Sequence, residues 1–375
     1  MRDDTDMDRR EAVRAVLGLG ALPLVGACAQ TARPALTPRP ALTARQRAGQ
    51  RVIFSYPGLT VPPALLRQIS AGQAAGVIFF GENVAGDAQL AAVIRELRQA
   101  QRDSPVSSPL LLMTDQEGGL VRRLPGAPAE SEKQVGAAAD PVAAARSAGT
   151  GAGRNLAGLG MNVNLAPVLD VYGAPGDFTD QYQRSYSDNA ATVAACGKAF
   201  IAAQQRAGVA ATAKHFPGLG QAGAAQNTDL GPVTLDVPSA ALRARDEAPY
   251  RAAIAAGVKL VMASWAIYPA LDAKRPAGLS PAVIKGELRG RLGYRGVTIT
   301  DAIEAGALAS FGGYGQRAVL AAGAGMDLLL CSARDPSQGQ SVVTALAGAL
   351  GGRKLDAASF DAAVDRVTAL RDGLR

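Results

Sequence analysis

Residues 209–218 read Val209-Ala-Ala-Thr-Ala-Lys-His-Phe-Pro-Gly218. The first five are small or apolar, which is typical of a parallel strand buried on both faces. Lys214 and His215 stand where this run ends, and Pro217 and Gly218 indicate a turn. Similar short apolar runs recur along the chain, giving eight strand candidates in all. The other seven are Val52–Tyr56, Val77–Phe80, Leu110–Thr114, Met161–Val171, Leu260–Trp265, Val297–Thr300 and Met326–Cys331.

Ala-rich segments with helical periodicity separate the strand candidates. The clearest are Asp87–Gln101, Ala190–Ala207, Ser239–Ala256, Pro281–Leu292 and a final Ser359–Leu374. Cap-like residues open several of them, namely Asp87, Asn189, Ser239 and Ser280. Eight strand–helix units in about 325 residues predict an α/β fold, a single-domain (β/α)8 TIM-type barrel. The alternative is a doubly wound open sheet. Neither G-x-G-x-x-G after the first strand nor a P-loop is present, so nucleotide binding by those motifs is not predicted.

Composition excludes several classes of protein. Of the 375 residues, 48% are hydrophobic and 19% are charged, so most of the chain can bury a core and is not disordered. Three Cys are too few for a disulfide framework, and one His excludes a His-rich metal site. The net charge of +7 comes from scattered Lys and Arg without interleaved aromatics, so no nucleic-acid partner is predicted. No metal or organic cofactor is implied.

The first 49 residues look like an export and anchoring segment. Arg9 and Arg10 precede a 13-residue apolar run, Ala15–Ala27, which predicts a signal peptide over residues 1–27. The run leads into Cys28, and this resembles a bacterial lipobox, in which the Cys thiol takes the lipid. The alternative is an ordinary signal peptide with an incidental Cys. Residues 28–49 are Pro-rich and predict a tether, which leaves residues 50–375 as the globular domain, exported and held at the membrane.

Polar side chains stand where the predicted strands end. In a barrel of this kind, catalytic groups occupy the carboxyl ends of the strands. The strand ends and the loops that follow them supply Asp115, Asp170, Arg184, Lys214, His215, Ser264, Trp265 and Asp301. Because these ends share one rim, we expect the side chains to converge there in an active site.

The chemistry of these residues suits a polyhydroxylated substrate. Asp301 ends an apolar strand and is either a nucleophile or base or a helix N-cap. Strand alternation would send only one of Lys214 and His215 into the lumen. Carboxylates and cations together can bind sugar hydroxyls, although Asp115 could instead pair with Arg123 in a purely structural role. Trp265 offers a face to a sugar ring or fills core.

At this point the motifs resemble glycoside hydrolase family 3, and most closely its single-domain bacterial β-N-acetylhexosaminidases. The resemblance covers roughly residues 50–350. It is carried by Asp115-Gln-Glu-Gly-Gly-Leu-Val-Arg-Arg123, Asn164-Leu-Ala-Pro-Val-Leu-Asp170, Arg184-Ser-Tyr186, Lys214-His-Phe-Pro-Gly218, Tyr268-Pro-Ala-Leu-Asp272, Leu279-Ser-Pro281 and Gly293-Tyr-Arg-Gly-Val-Thr-Ile-Thr-Asp301.

The resemblance implies a retaining mechanism in which Asp301 is the nucleophile. It implies that the sugar is bound by Asp115, Arg123, Arg184, Lys214 and His215. The implied substrate is a carbohydrate with terminal β-N-acetylglucosamine, from cell-wall fragments; a β-glucoside or β-xyloside is the alternative.

One departure from the family concerns proton transfer. The N-acetylhexosaminidases carry D-S-H as the acid/base motif, where this chain has Gln226, Asn227 and Thr228. Gln and Thr do not exchange protons at neutral pH. Two carboxylates are candidate replacements, Asp229 first and Glu304 second. Three hypotheses follow: a hydrolase with a rebuilt acid/base, a catalytically silent lipoprotein that binds sugar or a cell-wall fragment, or a related transfer reaction such as phosphorolysis or transglycosylation.

The lipobox interpretation makes a prediction of its own. Cys28→Ala removes the thiol that would carry the lipid, so the protein should leave the membrane fraction and become soluble. Fractionation of cells expressing either form measures this. Continued membrane association of the variant would refute the anchor.

Overall fold

The computed structural model describes residues 42–374, and a closed parallel barrel organises them. Its strands, numbered β1–β8 here, are Val52–Phe54, Gly76–Ile78, Leu111–Thr114, Val163–Asn164, Ala210–Phe216, Leu260–Ala263, Val297–Ala302 and Leu328–Leu330. Each strand pairs in parallel with the next, and β8 closes on β1 through Val52 opposite Leu329. The predicted (β/α)8 barrel is confirmed, and each of its strands overlaps one of the eight predicted runs.

Barrel closure is reinforced by a buried side chain. Arg51, directly before β1, donates from Nε to the carbonyl oxygen of Asp327, directly before β8, at 3.1 Å. A backbone hydrogen bond forms a second link, because Leu329 N donates to the carbonyl oxygen of Arg51 at 2.8 Å. Both groups lie in the core, so the first and last strands are joined by side chain and backbone alike.

Helices surround the barrel. The α-helices are Ala44–Gly49, Pro63–Ser70, Asp87–Arg102, Glu132–Gly136, Pro141–Leu159, Phe178–Gln181, Ala190–Arg206, Ser239–Ala241, Ala248–Ala255, Tyr314–Ala324, Pro336–Gly351 and Ala357–Asp372. Leu242–Asp246 and Ala282–Arg291 are π-helical, and Gly81–Asn83, Ala277–Leu279 and Gly306–Phe311 are 3₁₀ turns. None of the helices in residues 42–374 is both long and apolar enough to cross a membrane.

Two of the sequence predictions for helices need correction. Ser239–Ala256 is not one continuous α-helix, because Pro249 lacks the backbone donor and the chain passes through a π-helical segment before restarting at Ala248. Asp87 is the first helical residue and Gly86 is its N-cap, whereas Asn189 caps its helix as predicted, accepting from Ala191 N at 2.9 Å.

The folded domain begins earlier than the predicted boundary at residue 50. Thr43 and Gln46 form a capping box at the start of helix Ala44–Gly49, and Ala48 and Gly49 are buried. These residues therefore belong to the domain and not to the tether predicted over residues 28–49. The predicted signal peptide and Cys28 lie outside the described residues.

Two apolar layers hold the barrel together. One fills the lumen, where Ile53, Met113 and Ile299 pack with their counterparts from the other strands. Val367 and Leu370 of the last helix join this lumen cluster. The other layer lies between strands and helices and contains the buried free thiols Cys196 and Cys331. The strands are thus fixed on both faces, which holds their carboxyl ends rigidly.

Candidate active site

A cleft of about 480 Å³ opens at the carboxyl end of the barrel. Hydrophobic side chains of the lumen, such as Ile78 and Met262, form its floor. The residues predicted to catalyse the reaction or bind the sugar all line this cleft, namely Asp115, Arg123, Arg184, Lys214, His215, Asp229 and Asp301. Residues separated by up to 186 positions in sequence, from Asp115 to Asp301, are brought together here, as expected from the strand ends.

The buried carboxylate of Glu117 organises the cleft, although Glu117 was not among the predicted site residues. Arg184 binds it in bidentate fashion, from Nε at 2.9 Å and Nη2 at 2.8 Å. Lys214 Nζ lies 2.7 Å from the same carboxylate and 2.7 Å from Asp115. Burial alone would raise the pKa of Glu117, but the Arg184 and Lys214 cations outweigh it and lower that pKa to about 2. In the sequence, Glu117 could have been recognised as the second carboxylate of the D-Q-E-G-G motif.

The local chain path explains why Glu117 points inward. After β3 the chain forms a short antiparallel pair, Gln116–Gly118 with Val121–Arg122. Gly118 and Gly119 have φ of +115° and +54°, conformations that favour glycine at this turn. A β-carbon on Gly119 would also lie 2.4 Å from Ser131 Cβ, so the turn is packed tightly against the next segment.

His215 is oriented by a second buried carboxylate. Its Nδ1 lies 2.7 Å from Asp170 Oδ2, and the other oxygen of Asp170 accepts from Leu219 N at 2.7 Å. The other ring nitrogen, Nε2, lies 3.4 Å from Arg184 Nη2. Both nitrogens of His215 therefore face charged side chains at the cleft.

Two sequence expectations about side-chain placement are wrong. Lys214 and His215 both line the cleft, because the pairing of β5 with β6 shifts register between Ala213 and Phe216 and the simple alternation stops there; the peptide between them is cis. Asp115 pairs with Lys214 and not with Arg123.

Trp265 offers no sugar platform. Its ring is fully buried, and Nε1 donates to the Ala302 carbonyl at 2.8 Å. The core interpretation of this residue is therefore the right one. The contact also braces the end of β7, which carries Asp301.

The remaining cleft carboxylates differ in their partners. Asp301 Oδ1 accepts only from the Ala302 amide, at 2.7 Å, and no cation among the described residues pairs with it. Glu304 is held by Ser332 Oγ at 2.6 Å and by Gln338 Nε2 at 2.9 Å. Asp229 receives no hydrogen bond on its carboxylate from residues 42–374; burial at the cleft edge and then the negative charge of Asp301 raise its pKa to about 6.

The residues that replace D-S-H form a turn at the cleft edge. Gln226 Oε1 accepts from Gly223 N at 2.8 Å, which is a contact within the loop. Asn227 and Thr228 line the cleft beside Asp229. Leu219 adds an apolar wall to the cleft. Asp229 is the free carboxyl of this loop, whereas the oxygens of Glu304 are already engaged.

Glu132 is a second buried carboxyl, lying behind Glu117. Its Oε1 accepts from Val168 N at 2.9 Å, and its Oε2 has no partner among the described residues. Burial, followed by the charge of Glu117, raises the pKa of Glu132 well above its usual value. The two buried carboxyls thus differ, since the pKa of Glu132 is raised and that of Glu117 is lowered. Among residues 42–374, no three His, Cys, Asp or Glu side chains are grouped so as to hold a metal ion.

Comparison with known families agrees with this geometry. The model of the glycosyl hydrolase family 3 N-terminal domain matches residues 61–370. The chain belongs to glycoside hydrolase family 3. The resemblance inferred from the motifs is confirmed, and with it membership in a family of glycosidases.

Relatives of this family 3 domain include proteins from fungi and bacteria. A protein of Arthroderma benhamiae, described as an uncharacterized secreted glycosyl hydrolase, is 48% identical over 88% of this chain and 93% of its own. A β-hexosaminidase of Xanthomonas oryzae pv. oryzae is 32% identical over 80% of this chain and 87% of its own.

A solved structure of similar fold is the family 3 β-N-acetylglucosaminidase of Paenibacillus sp. str. FPU-7. The TM-score is 0.84 and the identity 37%, over 89% of this chain. The match spans 63% of the Paenibacillus chain, so this chain corresponds to part of that protein.

The different environments of Glu117 and Glu132 predict unequal losses of stability when each is replaced by Gln. Glu117→Gln leaves Arg184 and Lys214 short of a buried anion, so we expect the free energy of unfolding at neutral pH to fall by roughly 3–5 kcal/mol. Burial favours the protonated form of Glu132, which Gln resembles, so we expect Glu132→Gln to change this free energy by about 1 kcal/mol or less. Denaturant unfolding of both variants measures the difference, and equal losses would contradict the assignment of charges.

The pH dependence has opposite signs as well. The pKa of Glu117 is lowered, so its stabilisation is present above the ordinary value of 4.5 and is lost as the pH falls toward 2. The pKa of Glu132 is raised, so its contribution is favourable below 4.5 and declines as the pH rises. Above about pH 4.5, Glu132→Gln should therefore flatten the decline of Tm with rising pH.

Proposed function

We propose that this protein is a retaining glycoside hydrolase that removes terminal β-linked N-acetylglucosamine, with Asp301 as nucleophile and Asp229 as acid/base. The observation that carries the proposal is the pairing of two unlike carboxyls in one cleft. No cation among residues 42–374 pairs with Asp301 at the end of β7, and Asp229 beside it has a pKa raised to about 6. Glycosidases typically use two carboxyl groups whose environments give them different pKa values, so that one is charged while the other holds a proton.

In the first step the Asp301 carboxylate attacks the anomeric carbon while the bond from that carbon to the leaving oxygen breaks. Protonated Asp229 gives its proton to the leaving oxygen. This yields a glycosyl ester on Asp301, a carboxylate on Asp229 and a free aglycone alcohol. In the second step the Asp229 carboxylate takes a proton from water, the water oxygen bonds to the anomeric carbon, and the Asp301 carboxylate departs.

The sugar would be held by the group around Glu117. Asp115 and Lys214 offer an acceptor and a donor locked in a mutual ion pair, and Arg184 adds a guanidinium fixed by Glu117. Arg123 reaches the cleft with no ion pair of its own among the described residues, and is free to donate to a hydroxyl. The names of the Xanthomonas and Paenibacillus relatives support N-acetylglucosamine as the sugar. We extend this to a role in cell-wall or carbohydrate turnover.

A second candidate function is sugar binding without turnover. The observation that favours it is the replacement of the acid/base motif by Gln226, Asn227 and Thr228, none of which can transfer a proton at neutral pH. The protein would then be a lipoprotein that binds a sugar or a cell-wall fragment in the same cleft.

We also propose that the protein is exported and held at the cell membrane by a lipid on Cys28. The apolar run before Cys28 supports export, as does the description of the Arthroderma relative as secreted. The lipid anchor rests on the lipobox-like sequence alone.

Asp301→Asn should abolish turnover, because an amide cannot form the glycosyl ester. The measurement is release of the leaving group from 2,4-dinitrophenyl N-acetyl-β-glucosaminide, which needs little acid assistance and so isolates the nucleophile. Glu304→Gln is the matched control, since its oxygens face Ser332 and Gln338, and it should lose far less. If Asp301→Asn, folded by circular dichroism, turned over normally, the nucleophile would be elsewhere. Absence of turnover in the unmodified protein would favour the binding function.

Asp229→Asn should separate substrates by their leaving groups. Hydrolysis of a poor leaving group such as methyl should fall by ~10²–10⁴-fold, whereas 2,4-dinitrophenyl release should change little in the first step. In the unmodified protein kcat/KM should fall as the pH rises above about 6, because the acid must be protonated, and the variant should lose this dependence. Equal losses on both substrates would exclude Asp229 as the acid.

A further inference from the structure

The loop that carries Asp229 is bound to the loop that follows Asp301. Gly306 N donates to the carbonyl oxygen of Asp229 at 2.9 Å, and Ala307 N donates to the carbonyl oxygen of Thr228 at 3.0 Å. Gly306 opens the 3₁₀ turn Gly306–Phe311, which begins five residues after Asp301. Two adjacent backbone hydrogen bonds thus join the two loops.

Gly306 makes this approach possible because it lacks a side chain. A β-carbon at this position would lie 2.5 Å from the carbonyl oxygen of Leu230 and 2.9 Å from that of Asp229. Both obstacles are backbone, so no side chain could rotate away to make room. Any larger residue at position 306 must push the Asp229 loop outward.

The Asp229 loop is also stiff within itself. Asn227 Oδ1 accepts from Asp229 N at 2.9 Å, and the Asn227 carbonyl accepts from the amides of Leu230 and Gly231, each at 3.1 Å. The loop therefore moves as a unit, and a displacement at Leu230 carries Asp229 with it. Gly231 in the same loop has open space around its α-carbon.

We infer that Gly306 is a positioning residue that fixes Asp229 against the nucleophile by closely packing the two loops' backbones. The inference rests on the proposed function, since it concerns the acid/base of that reaction. Backbone contacts alone would position the Asp229 carboxyl, without an imidazole or a movable side chain. We refer below to the contacts of Gly306 and Ala307 with Thr228 and Asp229 as the loop clamp.

Gly306→Ala tests the loop clamp, with Gly231→Ala as the matched control in open space. A displacement of about 1 Å can cost ~10²-fold in rate, so Gly306→Ala should lose at least about tenfold on the methyl glycoside. Because the nucleophile is untouched, 2,4-dinitrophenyl release should stay within about twofold of the unmodified protein. The fall of kcat/KM with pH should move to lower pH as Asp229 leaves Asp301. Gly231→Ala should match the unmodified protein in all three readouts.

Hydrogen exchange gives a readout that does not depend on catalysis. In the unmodified protein the amides of Gly306 and Ala307 should exchange slowly because both are bonded in the clamp. Exchange as fast as in a free loop would overturn the inference even if Gly306→Ala did not fold. Equal loss by Gly306→Ala on both substrates, or no loss on either, would also overturn it.

The two levels of the proposal fail in different ways. If Asp229→Asn shows no dependence on the leaving group, the acid assignment and thus the proposed function fail. If Asp229→Asn behaves as expected while Gly306→Ala matches Gly231→Ala, only the positioning role fails.

Discussion

The buried carboxylate of Glu117, shared between Arg184 and Lys214, is the interaction on which the site depends. Removing two cations and an anion from water is costly, and the arrangement is tolerated because each charge has a partner at 2.7–2.9 Å. The contacts join the hairpin after β3, the loop after β4 and the end of β5. With those elements tied together, Asp115 and His215 are held in fixed positions at the cleft.

The barrel could be predicted from sequence because its evidence is local. Each strand is a short apolar run between turn residues, and the polar residues at the run ends locate the rim. The pairing within the site could not be predicted, because it joins Arg184 to Glu117 across 67 residues and Lys214 to Asp115 across 99. The sequence offered Arg123 as an ion-pair partner for Asp115, and only the closed barrel shows that Lys214 is the partner. The inward turn of both Lys214 and His215 likewise follows from a register shift that no composition rule signals.

Proton transfer is where this chain departs from the family pattern, and the neighbours of the two spare carboxyls explain how the scaffold can accommodate the change. The oxygens of Glu304 are engaged with Ser332 and Gln338, which fixes it as part of the wall. Asp229 has none of these contacts, and burial together with the negative charge of Asp301 raises its pKa to about 6. Its loop is joined by backbone hydrogen bonds to the loop that follows Asp301, so the backbone sets the position of Asp229 relative to that loop.

The link between Arg51 and Asp327 has a consequence for how the chain reaches its native state. These groups are 276 residues apart in sequence, so the seam between β1 and β8 is a contact of very long range. Such contacts form late, since the entropy of closing so large a loop must be overcome first. Until then both seam strands expose unpaired backbone edges, which are templates for intermolecular association. A newly made chain is therefore most vulnerable to aggregation just before the ring closes, and chaperones that shield strand edges would act on that nearly complete intermediate.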